Sequence, residues 1–149
     1  MVNLHPKQLC EDIQSLGAKL VLDGNELFIE NPEKVYSELE DFIKSNKVRI
    51  IKFLKGGYSD KEHSVRQTID KIIDFYNDYC PVDSKINNWL QFDDKSLGLI
   101  MQLLTVLYEN GWNYRELIAN YENANTDKLS KEIYDRAMFF FKKGVVMDG

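Results

Sequence analysis

The chain has 149 residues, 44% hydrophobic and 29% charged, with 8 Gly and 3 Pro. This excludes collagen-like, low-complexity and wholly disordered chains, and the length allows a sizeable core. Nineteen basic against 24 acidic residues give a net charge of −5, which argues against a chain that coats nucleic acid by bulk charge. No stretch reaches the roughly 20 apolar residues of a membrane span. The opening MVNLHPKQLCED lacks the basic-then-apolar plan of a secretory leader, so a cytoplasmic protein without membrane contact is expected.

Pro6 suits the first turn of a helix, and Leu9, Ile13 and Leu16 then fall on one helical face. Gly17 is placed to end that helix. The period then changes from helical to alternating. Leu20 and Leu22 alternate with Lys19, Val21 and Asp23, and Leu27 and Ile29 alternate with Glu26, Phe28 and Glu30. Between them Gly24-Asn25 can take positive φ, which predicts a β-hairpin. Its core face is Leu20/Leu22/Leu27/Ile29 and its outer face carries Val21 and Phe28. Asn31-Pro32 closes the hairpin, and Pro32 is read as the first residue of a helix carrying Val35, Leu39, Phe42 and Ile43. Ser45-Asn46 interrupts it. A short helix with Val48, Ile51 and Leu54 follows and stops at Gly56-Gly57.

Beyond the glycine pair the pattern is wholly helical. Ser59 or Asp60 caps a long helix bearing Val65, Ile69, Ile72, Ile73, Tyr76 and Tyr79, and Cys80-Pro81 stops it. Residues 81–92 read as irregular or as holding one short turn around Ile86, Trp89 and Leu90. Asp93 or Asp94 caps a helix with Leu97, Ile100, Leu103, Leu104, Leu107 and Tyr108, apolar nearly all round and expected at the centre of the core. Gly111 ends it. Asn113 is read as the cap of a helix with Leu117, Ile118 and Tyr121, and Thr126 or Asp127 as the cap of the last helix, with Leu129, Ile133, Ala137 and Phe140 as its stripe. Residues 145–149 read as a tail. The fold class expected is mainly α (α+β): a helix–hairpin–helix–helix unit over residues 1–57 and a bundle of about four helices over residues 58–149.

Residues that carry chemistry are sparse. The two cysteines, Cys10 and Cys80, form no CxxC pair and are read as small apolar residues, and His5 and His63 as solvated. The adjacent pairs Glu11-Asp12, Glu40-Asp41 and Asp93-Asp94 point apart on a helix and make poor acid–base partners. There is no Walker loop, GxGxxG or HExxH. A non-enzymatic protein without cofactor or metal is expected. Phe139-Phe140-Phe141 cannot all face one core, so at least one is exposed or covered by a partner. Lys44, Lys47, Arg49, Lys52 and Lys55 lie in a stretch without an acid. They are either the solvated face of a helix or a stripe for phosphates or an acidic partner.

The spacing Leu9–Ile13–Leu16-Gly17–Leu20–Leu22–Gly24–Leu27–Ile29, then Pro32, Leu39, Lys47, Ile50-Ile51 and Leu54, resembles the TubC-type N-terminal docking domain over about residues 4–56. That resemblance implies a helix–hairpin–helix–helix module, generally dimeric, whose exposed hairpin receives the C-terminal tail of a preceding synthetase subunit. Related modules occur in phage and mobile-element proteins. By position the docking surface is Lys19, Val21, Asp23, Glu26 and Phe28. Helical sequence rather than a synthetase domain follows, which leaves a hairpin-bearing interaction module as the expected function. The alternative is a nucleic-acid-associated accessory protein using the basic segment 44–55.

Overall fold

A computed structural model describes residues 5–77 and 84–148 of the chain. The described residues form seven α-helices and one two-stranded antiparallel sheet, a mainly α protein with a single hairpin near its start. No helix among them is long and apolar enough to cross a membrane. The chain divides into two compact units, residues 1–63 and 64–149.

In the first unit, helix α1 (Pro6–Ser15) starts with Pro6, whose missing N–H costs nothing there, and His5 caps it by accepting the Lys7 N–H on Nδ1 at 3.1 Å. Gly17, at φ 91°, ends it. The Gly17 N–H donates to the Gln14 carbonyl and the Ala18 N–H to the Ile13 carbonyl, the paired pattern that closes a helix and sends the chain out extended. Strands β1 (Lys19–Asp23) and β2 (Glu26–Glu30) follow at once. Gly24 alone of the two turn residues takes positive φ, at 62°, as a II′ hairpin turn requires of its first central residue. Pairing Leu20 with Ile29 and Leu22 with Leu27 puts the leucine face inward. Leu20, with Leu27 and Ile29 packed against it, joins Leu9, Ile13, Val35, Leu39, Ile43 and Ile50 in one apolar core, and Leu22 is half-buried.

Pro32 opens only a 3₁₀ turn, Pro32–Lys34, rather than the expected helix. Asn31 enters it in the left-handed region at φ 58°, its amide donating to the Gly17 carbonyl. Val35 is then extended and buried, a conformation that suits a β-branched residue. Helix α2 (Ser37–Ser45) therefore starts later, and α3 (Lys47–Leu54) follows across Asn46. Asn46 donates its amide to the Phe42 carbonyl at 2.9 Å. Helix α4 (Asp60–Asn77) is capped by Ser59, whose Oγ accepts the Glu62 N–H.

The second unit packs Val65, Ile69, Ile72 and Ile73 of α4 against residues of α5 (Ser84–Phe92), α6 (Asp94–Glu109) and α7 (Ala124–Lys143). Tyr79, Cys80 and Pro81 lie outside the described residues. Residues 84–92 are a full helix, not an isolated turn, because Ile86, Trp89 and Leu90 share one face and all three are buried. Helix α6 is not buried all round. Leu99, Ile100, Leu103 and Leu107 face the core, whereas Leu97, Met101 and Tyr108 are exposed. Of the consecutive phenylalanines, Phe139 and Phe140 are half-buried and Phe141 is exposed.

No α-helix forms from Asn113. Its side chain accepts the Arg115 N–H, and the Glu116 carbonyl that a helix would use accepts instead from the Trp112 indole at 2.9 Å. Only a 3₁₀ turn, Ile118–Tyr121, remains. The cap of α7 lies three residues before the expected Thr126. Asn123 accepts the Thr126 N–H while Thr126 Oγ accepts the Asn123 N–H, a reciprocal box that starts the helix at Ala124.

Two buried ion networks tie the second unit. Arg66 donates to Glu122 and to Asp127, each at 2.6 Å. Asp93 caps α6 through the Ser96 N–H and also accepts from Ser96 Oγ at 2.6 Å, the Trp89 indole at 3.0 Å and Arg136 at 2.7 Å. Burial pushes the Asp93 carboxyl up, but the bonds from Arg136, Ser96 and Trp89 outweigh it and hold it below the ordinary carboxylate range.

A carboxyl lowered in the folded state stabilises at neutral pH, and that contribution is lost as pH falls below the unfolded value of about 3.9 toward the native one. Asp93→Asn should therefore cost about 3 kcal/mol near neutral pH, leaving Arg136 buried without its anion. In urea titrations from pH 7 to pH 3 its stability should also fall less steeply than that of the parent chain. Ser130 Oγ is buried and has no partner among the described residues. Ser130→Ala should raise the urea midpoint by about 1 kcal/mol equivalent, since it removes an unmade hydrogen bond and improves helix propensity.

Candidate functional site

The hairpin presents Lys19, Val21 and Asp23 from β1 and Glu26, Phe28 and Glu30 from β2 on the face opposite the core, as period-two alternation demands. Register sets Val21 directly opposite Phe28, with Lys19 opposite Glu30 and Asp23 opposite Glu26. Phe28 is 51% exposed and Val21 half-buried, and the four charged residues are exposed. The outer face is thus an apolar pair framed at both ends by charge, with three carboxylates to one ammonium. The sheet has two strands only among the described residues, so each strand pairs along one side with the other. All five sequence-named hairpin residues lie on this face.

The basic segment is dispersed. Arg49 is buried at 5% exposure, which withdraws it from an outside partner. Lys52 is half-buried and bonded to Glu62 at 3.0 Å. Lys44 pairs with Glu40 one turn away at 3.1 Å, and Lys55 donates to Asn25 of the hairpin turn at 2.6 Å. Lys47 is exposed. Helix α3 therefore spends part of its charge inside its own unit, and the five residues do not form one solvent-facing set. A sequence run of cations specifies neither which one the core absorbs nor which ones local acids neutralise.

The two histidines, expected on the surface, come together. Their rings lie 4.5 Å apart, and His63, at 9% exposure, is bonded through Nδ1 to the buried Tyr58 hydroxyl at 3.0 Å. His5 Nε2 lies 3.2 Å from Asp60, while its Nδ1 serves the α1 cap. These contacts tie the start of α1 to the residues around the start of α4. The sequence hint was only His5 preceding Pro6, where a cap is needed. Cys10 is half-buried, and burial first and Glu11 second push its thiol up, away from reactive thiolate. Among the described residues no group of three or more His, Cys, Asp or Glu is arranged to hold a metal ion.

Comparison of the chain with protein-family models, with curated proteins and with solved structures found no match.

Inward and outward hairpin residues should separate in urea unfolding followed by circular dichroism. Leu20→Ala should cost about 3 kcal/mol, as truncation of a packed core leucine does. Phe28→Ser should change stability by no more than about 0.5 kcal/mol, as expected of an exposed position.

Proposed function

We propose that the chain is a non-enzymatic docking protein whose hairpin binds an extended peptide segment of a protein partner. The observation that carries this reading is the exposed Phe28, opposite a half-buried Val21 and held in fixed register between charged residues on a sheet of two strands. A third strand added at the hairpin edge gains main-chain hydrogen bonds. Alternate side chains of that strand then meet the outer face. Three carboxylates against one lysine favour a tail carrying Lys or Arg between apolar residues, and the charges set register and partner choice more than raw affinity. The resemblance of residues 4–56 to TubC-type docking modules supports the same use of the hairpin, and related modules in phage and mobile-element proteins suggest that setting for this chain. Self-association through the same face is the other form of this reading, because a second hairpin also supplies a strand.

A titration of the labelled full chain with an extended peptide alternating Val and Lys, followed by NMR, tests it. Shifts should be confined to residues 19–30, should disappear in Phe28→Ser, and should weaken only modestly between low and physiological salt. Light scattering of the same samples separates peptide capture from a dimer that already covers Phe28. Shifts centred on residues 44–55, with affinity for DNA that falls steeply with salt, would instead support nucleic-acid binding.

A further inference from the structure

The second unit contains a cavity of about 230 Å³ between α4, α5 and α7. Its floor is apolar and buried: Ile72, Trp89 and Ala137 are each at most 1% exposed. Phe141 stands at its side, 42% exposed, with its ring edge-to-face on Trp89 at 5.9 Å. Lys71 of α4 and Lys85 of α5 line it as well, both exposed, and no carboxylate is among the lining residues. In a chain of net charge −5, an apolar cavity lined by two lysines and no acid is a local reversal of sign.

The floor is held in place before any ligand arrives. The Trp89 indole N–H is fixed on Asp93, and Asp93 in turn is fixed by Arg136 and Ser96. A ring anchored at its polar edge offers its face without first losing side-chain freedom, which is what favours binding in a preformed pocket.

We infer that this cavity binds a small amphipathic carboxylate, an acyl chain of about eight carbons whose body lies on Trp89 and Ile72 and whose carboxylate meets Lys71 and Lys85. The size follows from the volume: a water-sized group occupies about 30 Å³, so the space takes about seven or eight of them. The head-group sign follows from the two lysines.

The test is a titration of the full chain, followed by NMR at the Trp89 indole and the Ile72 methyls, with three ligands that share one tail: octanoate, octanol and octylammonium. Octanoate should give saturable shifts at those two residues and bind at least about tenfold more tightly than octylammonium. Hexanoate, two methylenes shorter, should bind about tenfold more weakly than octanoate. The double variant Lys71→Glu/Lys85→Glu should invert the order and prefer octylammonium. Both positions are exposed, and Glu at residue 85 falls in the first turn of α5, where an acid favours the helix dipole, so the variant keeps its fold. Met138→Trp, which fills the cavity from a half-buried wall, should abolish all three titrations. The inference is overturned if the three head groups bind equally, if the shifts map elsewhere, or if octanoate gives no saturable shift at millimolar concentration.

Discussion

The second unit depends on one buried carboxylate. Asp93 is 1% exposed, and an ion in that position is tolerable only if every lone pair is used. Four donors from three elements meet it: the Ser96 N–H and hydroxyl at the start of α6, the Trp89 indole from α5, and Arg136 from α7. The carboxylate therefore does more than cap a helix. It sets the angle at which α5 meets α6, fixes the height of α7 through Arg136, and, through a further Arg136 bond to the Met147 carbonyl, ties the chain beyond α7. It also decides which face of Trp89 the neighbouring apolar residues see. A purely apolar contact among these helices tolerates sliding, whereas a charge with four directional partners does not.

The first unit is ordered by a different constraint, the switch in period at Gly17. The positive φ there lets two carbonyls near the end of α1 find donors and delivers the chain directly into β1, with Ala18 already buried. From that point alternation leaves no choice: if Leu20 is inside, Val21 is outside, and a slip of one residue would exchange the two faces. The II′ turn at Gly24 then fixes the register, so Phe28 stands opposite Val21 because Leu27 must meet Leu22. The exposed aromatic is thus a consequence of a well-specified core face. Across the strands it pairs with Val21, the kind of aromatic and β-branched contact that itself supports a two-stranded sheet.

What the sequence made legible were features decided within a few residues. The proline start and glycine stop of α1, the alternating leucines and the break at Asn46 are each set by local chemistry and stand where the pattern placed them, and of the two aspartates that could cap α6 it is Asp93 that does. Residues 84–92 were misread because the polar stretch Asn87-Asn88 hides the one-face spacing of Ile86, Trp89 and Leu90. Residues 113–121 were misread in the opposite direction. Their apolar spacing suits a helix, but the Trp112 indole takes the Glu116 carbonyl that a helix would pair four residues on. The Trp112 and Asn123 contacts both span no more than four residues, yet the first opposes a helix and the second starts one, a difference that composition does not settle. The burial of Arg49 and His63 and the cavity beside Trp89 depend on tertiary neighbours, so no local pattern announced them.

The two candidate surfaces carry opposite local charge, which the net value of −5 conceals. The hairpin face sets three carboxylates and one lysine around a half-buried Val21 and an exposed Phe28. The cavity sets two lysines at an apolar recess whose floor is rigid. An open strand pair gains affinity from backbone bonds to a partner that must itself become ordered, and so suits an extended segment with several spaced contacts. A preformed recess demands no ordering of the protein and rewards a compact ligand for each methylene it hides. Under the two proposals, one chain discriminates a cationic tail at one surface from an anionic amphiphile at the other. Each selection rests on a register or anchor fixed by its own unit, the Gly24 turn in one and the Asp93 carboxylate in the other.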